Sequence, residues 1–424
     1  MVVKYVHDPI LNRKVSKIMD AIISEIVNQY HPRSIIIMGS LGRGEGIISE
    51  DHNGNILFHS DCEMIIYPLF NILKYKEIRE LRDRLYRKYK IKLDIGGFKF
   101  TTRYSLRISK PMRLAPTIEN YDLKYGSTVV YGENILDKIE HINCEDIPLW
   151  EGLRLVFNRM AELLELYSLD IRKSHISQER QQDINYRIFK LVLAVQDLLL
   201  IRSTKYHTSY KQRNEIFQNI FPQEYKKLCA RMPGFTSLTI TATSERTNKS
   251  YVSDMNPFML WDEVLIYTDE ILRYILFEDL NISFNSYDDF QEHFLSNPYV
   301  MNKCFRGLSP RPIYQNSKCI LINALLFKNN LEMERSTHSK PWFQLVYSTI
   351  PILYFSTYQG NNQALHTRNF NHNLGSSDNK QFQLLLEGLP APRNIAKNDL
   401  KQEWDYVKQQ ILNFWALFCC ACGE

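Results

Sequence analysis

The sequence predicts an α+β protein: a mixed sheet with flanking helices in the N-terminal third, followed by a mainly helical domain. Three observations predict it. Residues 34–38 form a β-branched run that breaks at Gly39-Ser40, the pattern of a buried strand entering a sharp turn. Short apolar segments of strand character recur at residues 64–67 and 91–99. From Pro148 onward the apolar residues Leu149, Leu153, Val156, Phe157, Met160, Leu163 and Leu164 fall on one helical stripe, so the period lengthens from that of a strand to that of a helix.

The N-terminal elements follow in order. Asp8-Pro9 reads as an N-cap with proline at the first helical position, and apolar residues from Leu11 to Val27 then recur at helical spacing until His31-Pro32 stops the helix. After the first strand and Gly39-Ser40, Asn53-Gly54 lies between apolar flanks, which predicts a β-hairpin over residues 49–55. The next strand is headed by Asp61 and Glu63. Their i, i+2 spacing puts both carboxylates on one face of the strand and Cys62 on the other. Residues 71–90 read as a helix whose basic residues alternate with Glu77, Glu80 and Asp83, a solvated face and not a nucleic-acid surface. Asp94 sits in the following strand, and Gly126 and Gly132 bracket a last one over residues 127–131.

Pro148 marks the first domain boundary. The helical stripe after it is followed by a second helix over residues 183–201 that carries Lys190 and Asp197, then by Ser209-Tyr210. Beyond Leu280 aromatic, β-branched and turn residues mix without a sustained period, so no element is assigned until the end. Residues 361–380 are rich in Asn, Gly and Ser and predict a loop. Asp399 with Gln402 resembles a capping box for a closing helix whose stripe is Trp404, Val407, Ile411, Leu412 and Trp415. The expected division is therefore residues 1–147, 148–280, and a mainly helical extension over 281–424.

Composition excludes several classes. With 44% apolar and 23% charged residues, the 424-residue chain has ample core and is not a disordered segment. A net charge of +5 allows an anionic ligand without demanding nucleic acid. Eight cysteines in no metal-binding or disulfide spacing read as thiols of a reducing compartment. The most apolar runs are too short to span a bilayer and the N-terminus has no secretory h-region, so the expectation is a cytoplasmic protein with no membrane partner.

The chemistry rests on Asp61, Glu63 and Asp94. Two acids on one strand face repel unless a cation lies between them, and an acid inside an apolar alternation is costly without a partner. The Gly39-Ser40 turn frees backbone amides that suit a phosphate. A strand ending in Gly-Ser, a strand with Asp-x-Glu and a later strand with Asp resembles the DNA polymerase β-like nucleotidyltransferase superfamily. The resemblance covers the first third of the chain, with a longer gap before Asp61 and Glu63 in place of the usual Asp. It implies that Asp61, Glu63 and Asp94 are catalytic and hold two Mg²⁺ ions, or Mn²⁺ in their place, and that Gly39 and Ser40, helped by Arg43, hold the phosphates of an NTP. It also implies that Lys190 meets the triphosphate, while Ser209 and Tyr210 contact phosphate and base. The implied reaction moves NMP to a hydroxyl of a small-molecule, glycan or nucleotide acceptor with release of pyrophosphate. An RNA end as acceptor, and a nucleotide-binding module without catalysis, are the alternatives.

Overall fold

Helix α1 (Pro9–Tyr30) starts where Asp8 accepts hydrogen bonds from the amides of Ile10 at 2.7 Å and Leu11 at 2.8 Å, and stops at His31, whose φ of 48° turns the chain left-handed. In the computed structural model the described residues are 3–67, 75–96, 112–168, 170–247, 255–285, 287–297, 299–300, 342–358 and 400–419. Strand β1 (Ser34–Ile37) follows and enters a single helical turn, α2 (Gly39–Gly42). The sequence-predicted hairpin is present: β2 (Ile48–Glu50) pairs antiparallel with β3 (Ile56–Phe58), with Glu50 opposite Ile56. The turn is a five-residue loop and not a two-residue one, because Asp51 accepts from the amides of Asn53 and Asn55 and leaves only Gly54 at positive φ.

Strand β4 (Cys62–Tyr67), helix α3 (Tyr75–Tyr89), strand β5 (Leu93–Gly96), helix α4 (Ile118–Tyr125) and strand β6 (Thr128–Gly132) complete the first layer. The sheet order is β5-β4-β1-β6, with β1 antiparallel to both neighbours and β4 parallel to β5. One sheet face carries Ile35, Ile37, Cys62, Met64, Ile66, Leu93 and Ile95 into a core shared with α1 and α3. Cys62 is fully buried there, so Glu63 and Asp94 fall on the opposite face together with Ile36 and Ile65.

The second layer is helical: α5 (Leu149–Leu166), α6 (Gln178–Arg202), α7 (Tyr210–Glu224), α8 (Lys226–Arg231), α9 (Phe235–Thr247), α10 (Pro257–Leu280), α11 (Tyr287–Ser296), α12 (Trp342–Phe355) and α13 (Leu400–Cys419). Helix α6 packs on α5, α9 and α10, and α12 packs on α5, α11 and α13. A single apolar core runs from Trp150 to Trp415. The described helices beyond residue 280 thus share one core with residues 148–280 and do not form a separate body. The predicted stripe of the closing helix is inside it, from Val407 at 0% to Trp415 at 9% exposure. The polar stretch 361–380, Asp399 of the capping pair and the cysteines after Cys419 lie outside the described residues, as do the side chains of Gln402 and Cys419. Among the described residues no helix is long and apolar enough to cross a membrane.

The hairpin strands reach the first core through Ile48, Ile56 and Phe58, but the far end does not: Leu57 is 42% exposed and the exposed Lys14–Glu50 ion pair flanks the tip. Replacing residues 51–55 by a two-residue Asn-Gly turn is expected to change unfolding free energy by less than about 1 kcal/mol. Denaturant titration checks this, and loss of soluble protein would contradict it.

Candidate functional site

The parallel register of β4 and β5 sets Glu63 beside Asp94. Side chains at paired positions point to the same face, so the two carboxylates stand next to each other on the face turned toward the helical layer. Asp61, two residues before Glu63, shares that face but is exposed and ion-paired with Lys92 at 3.5 Å. Among the described residues no three acids, histidines or cysteines converge closely enough to hold an ion. The pair is therefore assembled in the structure, while the third carboxylate stands apart from it.

Glu63 is open to solvent yet enclosed, as a residue on the floor of a cleft is. The enclosure raises its carboxyl above the ordinary range, with Arg43 and Arg159 opposing the rise and Asp94 and Asp122 adding to it. A cation between Glu63 and Asp94 would reverse that cost, and an all-oxygen donor set suits a hard divalent ion. Gly39 leaves the necessary room. Its φ is +63°, and a Cβ added there would lie 2.9 Å from the Glu63 carboxylate. Ser40, in the same turn, is nearly buried at 8% exposure.

Arg43 is committed elsewhere. Its Nε donates to Glu45 at 3.2 Å and its Nη1 lies 3.5 Å from Asp122, with 7% of the side chain exposed. Glu45 in turn accepts from Ser209 Oγ at 2.5 Å and from the Tyr210 amide at 3.3 Å. Ser209 also caps α7. The Gly39 turn and the start of α7 are thereby joined through one buried carboxylate. A second joint lies beside it, where the Tyr206 hydroxyl donates to Asp122 at 3.2 Å and the buried Arg213 pairs with Asp197.

Tyr210 sits among three guanidinium groups, with Arg213 at 4.3 Å, Arg43 at 5.0 Å and Arg246 at 5.3 Å from its ring centre. Burial alone would raise its phenol, but Arg246, Arg43 and Arg213 together pull it down to about 7. The ring that the resemblance gives to a base is thus surrounded by cations.

Positive charge from the helical layer reaches Glu63 through Arg159. Arg159 on α5 pairs with Glu162, which Lys190 on α6 also reaches at 2.7 Å. Burial depresses the Lys190 amine to about 8, with Arg159 and Arg246 adding to the fall and Glu162 opposing it. Arg159 is close enough to influence both Glu63 and Lys190, so positive charge extends from near the carboxylates to Lys190. Sequence reasoning missed Glu45, Asp122, Arg159, Arg213 and Arg246. Only Glu45 had a local signal, an acid inside the glycine-rich run Gly42-Arg43-Gly44-Glu45-Gly46. No protein family, curated protein or solved structure matches the chain.

Proposed function

We propose that the protein is a metal-dependent nucleotidyltransferase that moves NMP from an NTP to a hydroxyl-bearing acceptor. One observation above all supports this reading: Glu63 and Asp94 stand in register beside the Gly39 turn, and Arg159, near enough to act on Glu63, shares Glu162 with Lys190. Negative charge on one side suits a divalent cation, and positive charge on the other suits a polyphosphate. Glu63 and Asp94 would hold Mg²⁺, or Mn²⁺, which would supply Lewis-acid polarisation of phosphoryl oxygens.

The chain's own residues do the rest. Asp94, open to solvent, accepts the proton of the acceptor hydroxyl, whose oxygen then bonds the α-phosphorus as the bond to the β-phosphate oxygen breaks. Gly39 and Ser40 leave space for phosphate beside Glu63. Arg159 and Lys190 balance the charge that builds on the departing pyrophosphate. Asp61 lies on the same strand face and joins the donor set once released from Lys92.

Incubation with each α-labelled NTP, Mg²⁺ and a cell extract tests this. Label in the small-molecule fraction with pyrophosphate release is the expected result. Label in RNA would move the acceptor to an RNA end, and saturable NTP binding without transfer would make the protein a nucleotide-binding module. The Lys190 amine loses its charge as pH rises through about 8, so NTP affinity should fall above that pH. Lys190→Ala should weaken binding by about 2–3 kcal/mol and flatten that limb of the profile. An unchanged alkaline limb in the variant would remove Lys190 from the phosphate site.

A further inference from the structure

Arg246, in the last turn of α9, has an unusual set of partners. One Nη donates to the Tyr186 hydroxyl and the other to the Tyr210 hydroxyl at 3.4 Å. The guanidinium lies 5.0 Å from the Tyr186 ring centre and 5.3 Å from that of Tyr210. Its Nε is buried with no hydrogen-bond partner. No carboxylate pairs with it among the described residues, although the other buried arginines of this region each have one: Arg43 has Glu45 and Asp122, and Arg213 has Asp197. A guanidinium withdrawn from water and held by two phenols, one of which, Tyr210, is drawn toward its anionic form, has no carboxylate among the described residues to balance it. It also keeps unused donors in a planar fork that matches two phosphate oxygens.

Its position narrows the ligand. Arg159, near enough to act on Glu63, shares Glu162 with Lys190, and Lys190 and Arg246 lie 6.0 Å and 5.0 Å from the centre of the same Tyr186 ring. The cations thus form a series, Arg159 then Lys190 then Arg246, leading away from the Glu63–Asp94 pair. If the α-phosphorus reacts beside that pair, the far end of the series meets the far end of the phosphate chain. We infer that Arg246 binds the terminal phosphate of the nucleotide and makes the site discriminate triphosphates from shorter nucleotides, an inference that rests on the nucleotidyltransferase reading for the nucleotide but not for the anion site itself. In the free protein Tyr186 and Tyr210 hold the guanidinium in place, and the phosphate supplies the negative charge it lacks.

The probe is inorganic tripolyphosphate, compared with pyrophosphate and orthophosphate by calorimetric titration, alongside a non-hydrolysable NTP, an NDP and an NMP in Mg²⁺. The protein should bind tripolyphosphate and NTP more tightly than their shorter counterparts. Arg246→Gln should weaken tripolyphosphate and NTP about 10- to 100-fold, the loss expected for a charge-assisted pair of hydrogen bonds, and leave NMP unchanged. Arg246→Lys, which keeps the charge and is the safer variant for folding, should recover only part of the affinity because it lacks the fork. Tyr186→Phe removes a competing acceptor and should leave tripolyphosphate binding intact or tighter. Wild-type preference for triphosphate in both Arg246 variants would overturn the assignment, as would weaker binding that is equal for NMP and NTP. Arg246-dependent tripolyphosphate binding without any nucleotide binding would keep the anion site and overturn the nucleotidyl-transfer reading instead.

Discussion

On the proposed nucleotidyltransferase reading, Asp94→Asn is expected to lower Mg²⁺-dependent nucleotidyl transfer by about 1,000-fold or more, because it would remove both a ligand charge and the group taking the acceptor's proton, effects worth several kcal/mol together. Asp61→Ala should likewise abolish turnover. Both side chains are exposed on the sheet face, so unfolding free energy should shift by no more than about 0.5 kcal/mol. That combination is diagnostic: activity is lost while the melting curve stays put. Pyrophosphate release measured beside thermal denaturation reads both quantities. Undiminished release from either variant would remove that carboxylate from the reaction.

The second large effect is on stability. Arg213→Ala is expected to cost about 3–5 kcal/mol and to lower the melting temperature by on the order of 10 °C, because it leaves Asp197 buried without its partner. Arg213 and Asp197 side chains are 4% and 5% exposed, so water cannot replace the lost contact. Burial already pushes the Asp197 carboxyl up to about 7, with Arg213 as the main force holding it down. Its native pKa lies above that of an unfolded aspartate, so this group's contribution is greatest at acid pH and is lost as pH rises through about 7. Loss of Arg213 should steepen the decline on the alkaline side. The double variant Arg213→Met with Asp197→Leu should recover much of the loss, since an apolar pair of similar volume avoids desolvating two charges. Urea titrations of the parent and both variants from pH 5 to 9 measure this, and an Arg213→Ala variant as stable as the parent would contradict it.

What was legible in the sequence was what local rules write there. Asp8-Pro9 and His31 mark both ends of α1, and they need only their own neighbours to do so. The face shared by Glu63 and Asp94 was also legible, because strand period and a buried Cys62 fix which way each carboxylate points. Helix α12 was not. Its described side chains from Tyr347 to Phe355 are all buried and Pro351 lies within it, so it has no polar face to give a helical period. The cations escaped for a different reason. Arg159 and Arg246 stand on different helices 87 residues apart in sequence, and each looks locally like a solvated residue. Only the packing of α5, α6 and α9 brings them to one cleft.

Glu45 has a mechanical consequence. Within the described residues the backbone passes from the sheet layer to the helical layer once, just before Leu149. With that crossing alone, the helical layer would swing like a door. Glu45 adds a second tie through Arg43, Ser209 and Tyr210, beside the packing of Tyr206 on Ile147, and two fastenings resist a rotation that one would allow. A swing of the helical layer about its backbone crossing would therefore have to break the Glu45 contacts to Ser209 and Tyr210 first.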